Sequence, residues 1–362
     1  MAGAGSDTPG SMMGRTIVVT GASGFVGRHL VVALQHQGHL LRLVSRAPAP
    51  RGDIDGVSTY STLDRGEHAA LQRAMAGADA VVHLAGRAHV LSETADSPIT
   101  EFRASNVELT RRVVHAALEA GVARFVFFSS VGAVTTMAPR LVTDEFPLQP
   151  STPYGQSKRE AEELIRQMVR GTSLSCAILR PPMIYGPGMK GNPLTLMRLV
   201  DAGFPLPFGR VVNRRSAAYV GNVVDAVLRL VALERSGVEA YFVKDTEDLS
   251  LPELVRVMAR ALDRPARMFP VPVPVLRLLA QTGDLLPRRL RGRSLRDMID
   301  RLTESLILDG EKLARATGHL PQYSAVHGWT ETARWYRAAP DEPALASTMH
   351  RSGTEPANEH RP

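Results

Sequence analysis

The stretch Ile17–Leu30, IVVTGASGFVGRHL, constrains what this chain can fold into more than any other. An apolar β-branched run is followed by Gly21, Gly24 and Gly27 at a spacing of three, and then by Leu30-Val31-Val32-Ala33-Leu34, which has helical character. This reads as a buried strand, a tight turn and a helix start. Gly21 allows the turn after the strand, Gly24 lets backbone N–H groups approach a pyrophosphate, and Gly27 lets the helix pack close to the sheet. Ser23, Phe25 and Val26 fill the rest of the candidate phosphate loop, and the helix N-terminus would face the phosphates with its partial positive charge. The spacing differs by one residue from G-x-G-x-x-G, so the fingerprint of the classical dehydrogenases is not the best match.

Strand-like and helix-like segments alternate beyond that point. Leu40–Val44, Ala80–Leu84, Arg124–Ser129 and Leu174–Leu179 read as strands, and residues around 28–36, 66–76, 101–120 and 155–170 as helices. Repeated β-α-β units predict an α/β protein: a Rossmann-type doubly wound parallel sheet, with ligands at the carboxyl ends of the strands. Residues 15–188 are assigned to the dinucleotide domain, to which later segments return, and 189–335 mainly to a smaller, mainly helical substrate lobe. Residues 1–14 and 340–362 are polar and are expected to be disordered. Within the lobe, Pro193–Phe208 would cover the substrate, Leu251–Leu262 would be a helix with Met258 in the core, and Phe269–Pro274 would be extended because of its prolines. His327 and Trp329 read as packing residues.

Composition narrows the class. With 362 residues and 44% hydrophobic content the chain can bury a substantial core. No apolar run approaches the roughly 20 residues of a membrane span, and Met1–Gly14 lacks the apolar centre of a signal peptide. The single cysteine, Cys176, lies in an apolar strand and is expected to pack. A cytoplasmic protein without a transmembrane segment is the expectation. The net charge of +7 comes overwhelmingly from arginine spread along the chain. Its densest cluster, Arg288-Arg289-Leu290-Arg291-Gly292-Arg293 with Arg296 and Arg301, reads as a solvated face, with an anionic membrane surface or partner as the alternative. No aromatic interleaving supports nucleic-acid binding, and the eleven histidines show no metal-ligand spacing.

Two places carry chemistry. The second strand ends Leu43-Val44-Ser45-Arg46 without an acid. Arg46, helped by Arg42 or Ser45, could therefore clamp a 2′-phosphate, which favours NADP over NAD; a solvated loop arginine is the alternative. Tyr154 and Lys158 stand four apart on a predicted helix, so they share one face. An ammonium there is expected to lower the phenol pKa from about 10 toward neutrality, as a proton-exchanging group requires.

Taken with His83-Leu84-Ala85-Gly86, Asn106, Ser129-Ser130, Arg180–Gly188 and Arg215–Ala226, these features resemble the extended short-chain dehydrogenase/reductases, also called the NAD-dependent epimerase/dehydratase family, over about residues 15–335. The resemblance implies that Tyr154 is the general acid/base and that Lys158 holds the nicotinamide ribose. Ser130 would bond the reacting oxygen, with Ser129 as the alternative, and Asn106 would support the lysine. It further implies that Asp64 lies near the adenine, that Leu84, Ala85 and Gly86 line the cofactor, and that Pro181 lines the nicotinamide. The runs Leu84–Val90, Leu179–Gly191 and Asn213–Ser216 are most similar to a UDP-glucose 4-epimerase-like branch that includes UDP-4-keto-6-deoxy-hexosamine 4-reductases of surface-polysaccharide synthesis. Ser130, Val131, Met183, Asn192 and Arg215 would then meet the substrate, Arg215 at the diphosphate unless it forms a structural salt bridge. Met183 replaces a usual asparagine, and Val134-Thr135 a usual tyrosine-glycine pair. This predicts a more apolar wall that suits a 6-deoxy sugar. The implied activity is reduction or epimerisation at C4 of a UDP-sugar by a homodimer paired through the helices near 101–120 and 155–170. The alternatives are a reductase of a non-sugar carbonyl, steroid- or flavonoid-like, and a catalytically silent NADP-binding protein.

Overall fold

The computed structural model describes residues 14–45, 57–61, 68–87, 98–284 and 295–338. Strand β1 (Thr16–Thr20) leads through the glycine turn into helix α1 (Phe25–His36), followed by β2 (Leu40–Ser45), β3 (Val57–Ser61), α2 (His68–Met75) and β4 (Ala80–His83). Helix α3 (Pro98–Phe102) runs through a wider π turn, Arg103–Glu108, into α4 (Leu109–Glu119). Then come β5 (Arg124–Phe128), α5 (Pro153–Val169), β6 (Ser175–Arg180), β7 (Met183–Tyr185) and α6 (Asn192–Asp201). The chain continues with β8 (Arg215–Tyr219), α7 (Val220–Ala232), β9 (Val238–Phe242), β10 (Asp248–Leu249) and helices α8 (Leu251–Ala261), α9 (Val273–Asp284), α10 (Leu295–Thr303), α11 (Glu311–Thr317) and α12 (Ala325–Ala338).

Seven strands form one parallel sheet in the order β3-β2-β1-β4-β5-β6-β9. Alternation along the strands explains why helices cover both faces. Ile17 and Val19 of β1, Ala80 and Val82 of β4, and Ala177 and Leu179 of β6 point to one side. There they join Leu30 and Leu34 of α1 and Val223 and Val227 of α7. Val18, Val81, Phe125, Phe127, Cys176 and Ile178 point to the other, against Leu71 and Met75 of α2, Val113 and Ala117 of α4, and Ala161 and Ile165 of α5. Cys176 is buried in this second layer, and burial pushes its thiol pKa up, as expected of a packing residue.

A second sheet, β10-β8-β7, carries the region after β6. The last strand of the main sheet, β9, is supplied only after this excursion and pairs with β6, so the dinucleotide-type sheet is completed from beyond residue 188. Met258 is fully buried. The expectation of an extended Phe269–Pro274 needs correcting at its end. Helix α9 begins at Val273, and Pro274 occupies its first turn, where a missing N–H costs nothing. Trp329 is fully buried and stacks on Tyr185 at 4.3 Å, whereas His327 is exposed and stacks on Tyr323 at 4.8 Å. Among the described residues, no helix is long and apolar enough to cross a membrane.

Candidate active site

The carboxyl ends of β1, β4, β5 and β6 meet at one edge of the sheet, and the candidate residues are distributed along it. At β1, Gly21 has φ +76°, and a Cβ there would lie 2.7 Å from the backbone nitrogen of Ala85. A Cβ on Gly27 would lie 2.3 Å from the carbonyl oxygen of Gly21. These two glycines let the turn, the helix and the end of β4 close on one another. Helix α1 starts with Gly24 at its N-cap, no side chain capping it and no acid in its first turn. Its first N–H groups and dipole are therefore aimed from a bare turn, as a pyrophosphate requires. Ser23 and Gly24 are exposed there, with Phe25 and Val26 half-buried beside them.

The end of β4 is tied down by a hydrogen-bonded chain with one direction. The Ala85 N–H donates to Thr20 Oγ1 at 3.2 Å, and Thr20 Oγ1 lies 2.6 Å from His83 Nδ1. His83 Nε2 lies 3.0 Å from Thr110 Oγ1, which donates to the Asn106 carbonyl at 2.6 Å. Because the Thr110 proton is committed, His83 Nε2 must donate and Nδ1 must accept from Thr20. Burial, with Lys158 nearby, pushes the His83 pKa down to about 3, which keeps the imidazole neutral. The side chain of Asn106, buried at the π turn, accepts from the Arg87 N–H at 2.8 Å. It donates to Ser157 Oγ at 2.9 Å, and Ser157 donates to the Tyr154 carbonyl at 2.8 Å. The glycine turn, Ala85–Arg87 and the first turns of α5 are thus one connected unit.

Helix α5 opens with Thr152 as N-cap, Pro153 and then Tyr154. The Ser130 hydroxyl lies near enough to the phenol to favour its ionised form, and accepts from the Gly132 N–H at 3.0 Å. Lys158 donates to the Phe128 carbonyl at 2.8 Å and sits 4.8 Å from the centre of the Phe127 ring. A Cβ on Gly86 would meet Asn106 Oδ1 at 2.8 Å and Lys158 Nζ at 3.4 Å, so only glycine leaves this approach open. The expected depression of the phenol pKa is not found in the protein alone. Burial pushes Tyr154 up to about 12, with the Ser130 hydroxyl opposing, and burial pushes Lys158 down to about 8. Lys158 donates to a carbonyl and not to the phenol, and desolvation dominates both groups.

Ser129 is not exchangeable with Ser130. Its hydroxyl donates to Glu162 Oε1 at 2.5 Å, and Glu162 accepts two bonds from Arg180, at 3.0 and 2.5 Å, in a buried ion pair. This trio escaped the sequence reading; the one available signal was a glutamate four residues after Lys158 on a buried helix face. Pro181, buried, follows Arg180 and accepts from the Val131 N–H at 2.9 Å.

Toward the second sheet, Val131 and Val134 turn their side chains into a core with Val142, Phe242, Leu306 and Leu308, and Thr135 is also buried. Val134-Thr135 therefore cannot form the expected apolar wall, and Val131 cannot offer its side chain to a substrate. The side chains of Val131 and Val134 pack with Leu306 and Leu308, which make single bridges to Arg215 and Val142, and of the positions read as a wall only Met183 is exposed. Arg215, at the start of β8, donates to the Glu304 carbonyl at 2.8 Å and the Thr136 carbonyl at 3.4 Å. It makes no ion pair among the described residues, and burial, together with Arg301, pushes its pKa down to about 10. The salt-bridge alternative for Arg215 is not what is found. Asn192 opens α6 and is exposed. Arg42 does not assist a phosphate clamp: it donates to the Ala74 and Ala76 carbonyls at 3.0 and 2.5 Å, capping the end of α2. Arg46, Asp64 and the Arg288–Arg293 cluster lie outside the described residues.

With this geometry in hand, the comparisons with known proteins are specific. Residues 17–243 match the NAD dependent epimerase/dehydratase family. The chain is 32% identical over 331 residues to the UDP-glucose 4-epimerase of Vibrio cholerae, covering 90% of this chain and 97% of that protein. It is 30% identical over 280 residues to the N-acetyl-alpha-D-glucosaminyl-diphospho-ditrans,octacis-undecaprenol 4-epimerase of Escherichia coli O157:H7, covering 76% and 81%. The structure of MoeE5 in complex with UDP-glucuronic acid and NAD aligns with a TM-score of 0.69 at 25% identity, covering 89% of this chain and 99% of that one. Glycine turn, parallel sheet and matched length together place this chain in the NAD-dependent epimerase/dehydratase family of extended short-chain dehydrogenase/reductases.

Proposed function

We propose that the protein is an NAD-dependent 4-epimerase of a UDP-sugar, acting in the cytoplasm in surface-polysaccharide synthesis. The observation that carries this reading is the convergence of Ser130, Tyr154, Lys158, Asn106 and Gly86 at one sheet edge, with Arg215 held short of an anion at the other side. NAD, when bound, supplies the hydride acceptor and donor for C4. Tyr154 would take and return the C4 hydroxyl proton, with Ser130 holding the same oxygen. Lys158 would bond the nicotinamide ribose, and Asn106 would hold α5 against Arg87. The turn from Gly21 through Gly27, with Ser23, Phe25 and Val26, would cradle the pyrophosphate. Leu84, Ala85 and Pro181 would line the dinucleotide, with Asp64 near the adenine. Arg215 would pair with the UDP diphosphate, where a planar bidentate donor suits two phosphates. Met183 and Asn192 would meet the sugar, whereas Val131, with its side chain in the core and its N–H and carbonyl bonded to Pro181, Val134 and Thr135, would serve only to shape the turn after Ser130. Homodimerisation through α4 and α5 belongs to the same proposal.

The second reading is an NADP-dependent 4-keto reductase, favoured by a β2 end without an acid and by Arg46 just beyond it. With Arg42 engaged at α2, that clamp rests on Arg46. Mass spectrometry of nucleotide released on denaturing fresh protein, followed by incubation with UDP-glucose and UDP-GlcNAc, separates the two. Bound NAD and inversion at C4, abolished in Tyr154→Phe, support the epimerase. Empty protein that consumes NADPH with a UDP-4-keto-6-deoxy-hexosamine overturns it in favour of the reductase.

A further inference from the structure

The sequence shows no run of histidines at metal-ligand spacing, yet packing of α2 against α4 creates a cluster far from the sheet edge described above. His115 and Glu119 are one turn apart on α4, so both project from the same face. His68, the first residue of α2, is brought to them by the tertiary fold. Its Nε2 lies 2.8 Å from Glu119 Oε2, and His115 Nδ1 lies 3.4 Å from that same oxygen. The imidazole rings are 5.4 Å apart, and one ligand atom from each of the three residues falls within 4.8 Å of the others. We propose that His68, His115 and Glu119 form a divalent transition-metal site, of a kind suited to zinc, that clasps α2 to α4.

Three features argue for it. Zinc bonds of about 2.0–2.1 Å in tetrahedral geometry hold ligand atoms roughly 3.3 Å apart, and the two histidine–glutamate separations, 2.8 and 3.4 Å, already bracket that spacing. Two imidazoles and one carboxylate select zinc, copper or nickel over magnesium and calcium, which prefer all-oxygen sites. The carboxylate is also oriented from outside the triad, since Gln72 donates to Glu119 Oε2 at 3.1 Å, the outer-shell support that metal ligands use. All three ligands are exposed, so the fourth position would be taken by water, and the ion is accessible without unfolding.

Tag-free full-length protein, freed of metal by chelator and dialysis, is titrated calorimetrically with zinc chloride. The wild type is expected to bind one more zinc per chain than His115→Ala or Glu119→Gln, with Gln72→Ala weakening that site by about tenfold. The wild type's unfolding temperature should rise with zinc while those of the two ligand variants do not. Because the residues are exposed, circular dichroism should find the variants folded. Zinc binding of equal stoichiometry and affinity in wild type and His115→Ala, or none in the wild type, overturns the proposal. None of these readouts depends on the sugar chemistry.

Discussion

Two cations lie buried within a short distance of one another at the ends of β5 and β6, and they are treated in opposite ways. Beneath the sheet edge, Arg180 is matched by Glu162 through two hydrogen bonds, and Ser129 donates a third to the same carboxylate. At the edge itself, Lys158 has one carbonyl and an aromatic face but no ion pair; burial depresses its pKa to about 8, and the charge of Glu162, which is paired with Arg180, offsets this only in part. Arg215, across the site, resembles Lys158: it donates to carbonyls only, and burial together with Arg301 outweighs the Glu304 charge, so that its pKa falls to about 10. A buried charge that is fully paired adds little to the fold until one partner is lost, whereas one left short of an anion keeps unspent capacity for a ligand. The difference teaches where to look for function among many arginines.

The sharpest way to break that contrast is to unpair Arg180. Glu162→Gln leaves a buried guanidinium without its anion and should cost about 3–5 kcal/mol in urea unfolding. A loss under 1 kcal/mol would show that Arg180 is hydrated or paired elsewhere. His83 extends the argument to a group kept neutral. Its native pKa, about 3, lies below the usual 6.5, so the unfolded chain binds a proton that the folded chain refuses. The stability it contributes is present above pH 6.5 and is lost as pH falls toward 3, amounting to about 2 kcal/mol by pH 5. Unfolding midpoints at pH 7 and pH 5 should therefore differ by less in His83→Asn than in the wild type. Arg215→Met should weaken UDP binding by about tenfold or more in calorimetry, given the worth of hydrogen bonds to a charged partner, and leave the unfolding midpoint little changed. The smallest effect expected is for the pair Glu162→Met with Arg180→Met, within about 1 kcal/mol of the wild type, because apolar replacements remove both charges together. A loss as large as that of Glu162→Gln would mean that the ion pair itself, not its imbalance, sustains the fold.

What could be read from the sequence was what local pattern determines. Ile17–Leu30 contains its own strand, turn and helix, and the strands β2, β4, β5 and β6 announce themselves as short apolar runs. β9 did not, because Val238–Phe242 follows a long excursion and its place beside β6 depends on the whole chain closing. Tyr154 and Lys158 were legible by helical spacing, and the structure brings Ser130, Asn106 and Gly86 to them. The phenol's pKa was not legible, since spacing says nothing of desolvation, which dominates here. Val134 illustrates the same limit: a motif position suggested a wall, and only packing against Leu306 and Leu308 reveals a core residue. Arg42 shows it once more, because its partners are carbonyls at the end of a helix more than thirty residues away.

On the proposed function, Lys158 is kept at a cost to folding for the sake of a dinucleotide. Urea unfolding of wild type and Lys158→Met, each with and without NADH, tests it in one experiment. The account predicts that without NADH the variant unfolds at the same or a higher urea concentration, and that NADH raises the wild-type midpoint clearly while barely moving that of the variant. A less stable variant whose midpoint responds to NADH as the wild type's does would contradict it.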